Sequence, residues 1–157
     1  MNKILADMHT HTIASGHAYA TLTEMCKEAA NKGLEIYGIT EHSSGIPGTC
    51  ADIYFQNLRV VPRDLFGLDL RLGAEINIID YNGTLDLDQK YIDRLDFVIA
   101  GIHSVCYKFG SKEENTAAII NAIKNPNVNI ISHPDDGRCP LDYEALVQAA
   151  KEYHVLL

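Results

Sequence analysis

The chain has no long apolar run. Its first apolar stretch is the three residues Ile4-Leu5-Ala6 behind a single lysine, which is neither a signal peptide nor a membrane span. It also has no CxxC pair. Cys26, Cys50, Cys106 and Cys139 lie far apart, so the composition predicts reduced thiols in a cytoplasmic protein, not a disulfide framework. There is no excess of positive charge. Thirteen Lys and Arg against 21 Asp and Glu give a formal charge of -8, a poor match to nucleic acid, whose phosphates need clustered cations. Bound divalent cations would offset part of that charge locally. No GxSxG, Walker loop or Rossmann glycine pattern occurs, which argues against the commonest nucleophile, nucleotide and dinucleotide sites. No internal repeat or low-complexity tract occurs either. What remains, 157 residues with 46% hydrophobic and 22% charged content, is ordinary for one globular domain with a real core.

Periodicity gives the layout. Residues 4–7 read as a short buried strand. Thr21 and Glu24 form a capping box that opens a helix with Leu22, Met25, Cys26 and Ala29 on one face, stopped by Gly33. A strand is expected over 35–41, a helix over 51–61 ended by Pro62, a strand over 70–79 and a helix over 87–95. The apolar run 97–102 reads as a buried strand. A helix over 112–124, a strand over 129–133, a helix over 141–153 and the start of a strand at 155–157 complete the series. Strands alternate with helices, which predicts an α/β class with mainly parallel strands covered on both faces.

The polar residues then fall into a pattern. His9 and His11 follow the first strand and alternate, so on extended backbone they point to one side. His42 follows the second strand, Glu75 ends the third, and His103 and His133 follow the fourth and fifth. His17 lies in the loop after the first strand. The C-terminal ends of parallel strands converge on one mouth or crevice, so these side chains should meet in space. Convergent imidazoles around a buried carboxylate would repel or stay unsatisfied without divalent metal.

Other residues admit plainer readings. Asp7 either caps a loop or orients an imidazole, and Glu41 either orients an imidazole or is solvated. Cys106 reads as a small buried apolar residue in preference to a soft ligand. Asp135-Asp136 reads as a turn, and His154 as a surface residue. Arg138 either grips phosphate or is solvated.

The motifs DMHTHT, TEHSSG, GAEIN, AGIHS and SHPDD, in this order, resemble the PHP family, named for polymerase and histidinol phosphatase domains. HTHTIASGHAY, with TEHSSG and IISHP, is most similar to its bacterial phosphatase branch. The resemblance covers essentially the whole chain and makes residues 1–157 a single domain of this type. It implies a distorted parallel, TIM-like β/α barrel of seven strands with a site for up to three metals, usually zinc, at its mouth. By motif, His9 and His11 would hold one metal, Glu75 would bridge it to a second on His103 and His133, and His17 and His42 would hold the third. The family more often has Asp where this chain has Glu41. It also supplies a late Asp and His that have no counterpart here, so the barrel is expected to be incomplete at its C-terminal side. A second copy or a companion chain is expected to complete it, or else the chain is a fragment of a longer gene product.

The chemistry implied is hydrolysis of a small phosphate monoester, with metal-bound hydroxide attacking phosphorus and the metals neutralising charge. Imidazole and carboxylate ligands suit zinc, and also manganese or iron. Two other readings stay open. One is a phosphodiesterase or nuclease, as in polymerase-associated relatives. The other is a catalytically inactive metal-binding module.

Overall fold

A computed structural model describes residues 3–157. Five parallel strands form the frame. They are β1 (Ala6–Asp7), β2 (Ile36–His42), β4 (Leu68–Asn77), β5 (Val98–Gly101) and β6 (Val128–Ile131), neighbours in the order β1-β2-β4-β5-β6. β3 (Asp64–Leu65) pairs antiparallel with the start of β4. The helices are α1 (Leu22–Asn31), α2 (Ile53–Asn57), α3 (Gln89–Ile92), α4 (Lys112–Ile123) and α5 (Tyr143–Tyr153). The result is an incomplete, distorted parallel β/α barrel. On the outer side of β6, Leu156 makes a parallel bridge to Ile130, where the next strand of a barrel would lie. Among the described residues, no helix is long and apolar enough to cross a membrane.

Burial explains the sheet. Residues 72–78 of β4 and its extension are buried without interruption, as are all of Val98–Gly101, because helices and neighbouring strands cover both faces. β1 departs from expectation. It covers only Ala6–Asp7, and Ile4 is 75% exposed, because an edge strand paired on one side has little to bury against.

Capping decides which helices reach their expected length. Thr21 and Glu24 make the capping box of α1, and Ser111 and Glu114 make that of α4. Asp142 accepts the Ala145 N–H at the start of α5. α2 and α3 have no side-chain cap bond, and both are far shorter than their apolar spacing predicts. Uncapped first-turn N–H groups make a short helix marginal. Residues 58–60 continue α2 only as a 3₁₀ turn.

The β3–β4 hairpin is an element that apolar periodicity does not mark. Its turn is Phe66-Gly67, with φ of 57° and 80°. Two consecutive left-handed residues suit the twist of a tight hairpin. Asn or Asp usually marks the first of them, and here it is Phe.

Candidate metal centre

The strand ends deliver the site. After β1 the two residue types of the HTHT stretch divide between two sides. Thr10 and Thr12 are buried. Thr10 N donates to Thr40 Oγ1 at 3.2 Å, and Thr40 N returns a bond to Thr10 O at 2.9 Å. The alternating His9 and His11 therefore point to the other side, toward Glu75.

Glu75 is the hub. It is 1% exposed, and five imidazoles converge on its two oxygens. Oε2 lies 3.0 Å from His9 Nε2, 3.2 Å from His11 Nε2 and 3.2 Å from His42 Nδ1. Oε1 lies 3.1 Å from His133 Nε2 and 3.3 Å from His103 Nε2. His17, in the loop beyond, stacks edge-on against His11 and His42 with ring centroids 5.2 and 4.9 Å away. His133 reaches its place with a left-handed backbone, φ 33°, the kind of unfavourable conformation that functional sites retain.

Charge follows geometry. Burial alone would push the Glu75 carboxyl up, but hydrogen bonds from His103, His11, His133 and His9 hold it far below the usual carboxylate range. Burial drives His42 down to about 3, against the pull of Glu75 and with help from His11, His103 and His17. The bond to Glu75 raises His133 despite burial. His42 is therefore a neutral imidazole at neutral pH, as a metal ligand must be.

Three sets of side chains could each hold an ion: His11, His17 and His42; His9, His11 and Glu75; and His42, Glu75 and His103. The donors fit a metal on two counts. His42 Nδ1 is buried without an aligned hydrogen-bond partner, although Glu75 Oε2 is close. Donor atoms 3.0–3.3 Å apart also match the spacing of two ligands sharing one tetrahedral ion about 2.1 Å from each. The grouping differs from the family-based expectation in two respects: His11 joins His17 and His42, and His42 stands with Glu75 and His103 where His133 was expected.

Glu41 is fully buried, which removes the solvated reading. It contacts no imidazole directly. Its oxygens accept the Thr12 N–H at 3.2 and 3.1 Å and the hydroxyls of Thr12 and Ser15. Asp7 does not orient a ring either. Its carboxylate accepts the His9 backbone N–H at 3.4 Å, because β1 leaves it exposed beside the loop it caps. Arg138 lines the cleft, but its guanidinium is paired with Asp136 at 2.7 Å. Asp135, Asp136 and Arg138 form the rim, and Cys106 belongs to none of the three ligand sets. The cleft of about 510 Å³ opens over His17, His42, His103 and His133, with Ile46, Ile102 and Val105 as its apolar lining.

Two supports gave no sequence signal. Ser15 links Glu41 to His11. Asp86 accepts from Ser43 Oγ, Gly45 N (2.9 Å) and both nitrogens of Asn77 (3.0 and 2.6 Å), tying together the ends of β2 and β4 that carry His42 and Glu75. Both rest on contacts between residues distant in sequence. A lone Ser or Asp in a loop carries no periodic mark.

A partial parallel barrel with a histidine and carboxylate cluster at its C-terminal mouth defines a candidate metal-binding site. Comparison with known proteins gives the family: the PHP domain model matches residues 7–156, and the chain belongs to that family. It is 49% identical over 150 residues to a probable phosphatase of Acetivibrio thermocellus, covering 96% of this chain and 62% of that one. It is 51% identical over 148 residues to a probable phosphatase of Caldicellulosiruptor saccharolyticus, covering 94% and 62%. The chain thus spans about three fifths of the length of these relatives. The fold is similar to that of a histidinol phosphate phosphatase of Lactococcus lactis solved with zinc, L-histidinol and phosphate. The TM-score is 0.55 at 17% identity, covering 96% of this chain and 71% of that one.

Proposed function

We propose that this chain carries the metal-binding part of a phosphatase acting on small phosphate monoesters. The observation that carries the reading is the convergence of five imidazoles on the buried Glu75 carboxylate. His9, His11, His17, His42, Glu75, His103 and His133 are the proposed ligands, and zinc is the proposed ion because imidazole-rich, four-coordinate sites suit it. Ions bound there supply an activated water and neutralise charge on the phosphate oxygens.

The protein's own residues do the rest. Glu75 and the imidazoles would hold the ions. Ile46, Ile102 and Val105 limit water beside the substrate's carbon portion. Arg138 stands at the rim and can swing from Asp136 to a phosphate oxygen, since both are at the surface of the cleft. The relatives named as probable phosphatases support the same activity. A nuclease reading is less well supported, because the rim offers two carboxylates and one arginine to a polyanion.

The test is hydrolysis by the zinc-loaded protein. Turnover of p-nitrophenyl phosphate that a chelator abolishes, with little on a dinucleotide, is the expected result. The reverse preference would favour the nuclease reading, and zinc binding without turnover of either would favour an inactive module. We further propose that additional polypeptide covers the outer edge of β6, where Leu156 is 67% exposed: a second copy, a companion chain or a longer form of this chain. Sedimentation of a well-folded monomer would contradict the second copy.

A further inference from the structure

We propose that Ser15 is a positioning residue that keeps a proton on His11 Nδ1, so that Nε2 is the atom His11 turns to the ligand cluster. The inference rests on the reading above only for its consequence on metal affinity.

Ser15 ends the 3₁₀ turn Ile13–Ser15 and is fully buried, so water does not compete for its hydroxyl. Three partners surround that one oxygen. Glu41 Oε2 is on one side, His11 Nδ1 lies at 3.1 Å, and the His42 backbone N–H donates to it at 3.0 Å. A carboxylate oxygen only accepts, so it takes the single Ser15 proton. The oxygen then has two lone pairs left. The His42 N–H uses one, and His11 Nδ1 meets the other. Nδ1 must bring the proton, because two lone pairs facing each other in a buried site would be an unsatisfied contact.

The same carboxylate fixes the turn that carries Ser15. Glu41 accepts both the N–H and the hydroxyl of Thr12, and Thr12 Oγ1 accepts the Ala14 N–H at 3.2 Å. Gly16 closes the turn at φ 76°, where an added Cβ would lie 2.2 Å from Gly48 O. Ser15 therefore has little freedom to rotate its partners away. There is also a competitor. Glu75 Oε2 lies 3.2 Å from His11 Nε2 and draws the ring proton toward that nitrogen, where it would obstruct an ion; the Ser15 contact opposes that pull. One buried hydroxyl thus selects which ring nitrogen is left for an ion, and through the His42 N–H it holds the backbone of a second ligand. Outer partners of this kind typically change metal affinity about 10–100-fold.

The experiment is long-range ¹H–¹⁵N correlation on metal-free, ¹⁵N-histidine-labelled protein, with zinc affinity measured by chelator competition. In the wild type, His11 Nδ1 should show a protonated nitrogen shift. In Ser15→Ala it should become imine-like, and zinc affinity should fall about 10–100-fold. Ser15→Thr keeps the hydroxyl and should keep the wild-type shift. An imine-like Nδ1 in the wild type overturns the proposal, even if Ser15→Ala does not fold. So does a protonated Nδ1 with unchanged zinc affinity in folded Ser15→Ala. If the shifts behave as expected while no variant binds zinc, the assignment of Ser15 stands and the phosphatase reading fails.

Discussion

Glu75→Gln is expected to lower zinc affinity on the order of 100-fold or more and phosphate ester turnover by roughly 10³-fold. The substitution preserves shape almost atom for atom. What changes is charge and acceptor capacity. The carboxylate presents two accepting oxygens to five imidazole nitrogens within 3.3 Å, and an amide presents one. Whichever way the glutamine turns, its NH₂ faces either His9, His11 and His42 or His103 and His133. An ion shared across either set loses an anionic ligand and meets a donor in its place. Equilibrium dialysis against a chelator reads the effect directly, with circular dichroism as the check on folding. Wild-type zinc affinity in the variant would remove Glu75 from the ligand set and, with it, the bridge between the two halves of the cluster.

Glu41→Ala should act on stability first. Glu41 is buried and accepts from Thr12 N, Thr12 Oγ1 and Ser15 Oγ. Alanine leaves those donors without partners and opens a cavity where the side chain was. The combined cost is roughly 3–5 kcal/mol, which for a chain of this size lowers Tm by about 10 °C or more. Glu41→Asp keeps the charge, shortens the reach by one methylene and should cost about 1–2 kcal/mol. Thermal unfolding of the metal-free proteins separates the two. An alanine variant that melts with the wild type would mean that the Thr12–Ser15 turn is held by something else.

The parts of this architecture that were readable in the sequence are those with a period. Alternation in HTHT predicts two imidazoles on one side, and the threonines of the same stretch are buried against β2 while the histidines meet Glu75. Apolar runs followed by His or Glu give both the strands and the positions where a cluster forms. The Thr21–Glu24 box marks the start of α1 because capping is local chemistry.

The parts that were not readable depend on what a residue meets across the fold. Ile4 and Leu5 are apolar, but only an edge strand lies behind them, so they stay exposed. The segment at 87–95 has helical spacing, but Asp88 makes no cap bond and only Gln89–Ile92 coils. Phe66 gives no sign that it will adopt a left-handed turn. Ser15 and Glu41 are 26 residues apart, and neither reveals alone that it holds the other. For the same reason Asp7, beside the histidine motif in sequence, holds only backbone while Glu41, far from it, reaches a ring through Ser15.

The most direct test of the central claim is the metal content of protein purified without added metal, measured by elemental analysis against chain concentration. A cluster in which Glu75 joins two sets of imidazoles predicts more than one zinc per chain, with Glu75→Gln losing most of it. A wild-type protein that binds no stoichiometric metal, before or after dialysis against zinc, would contradict the account.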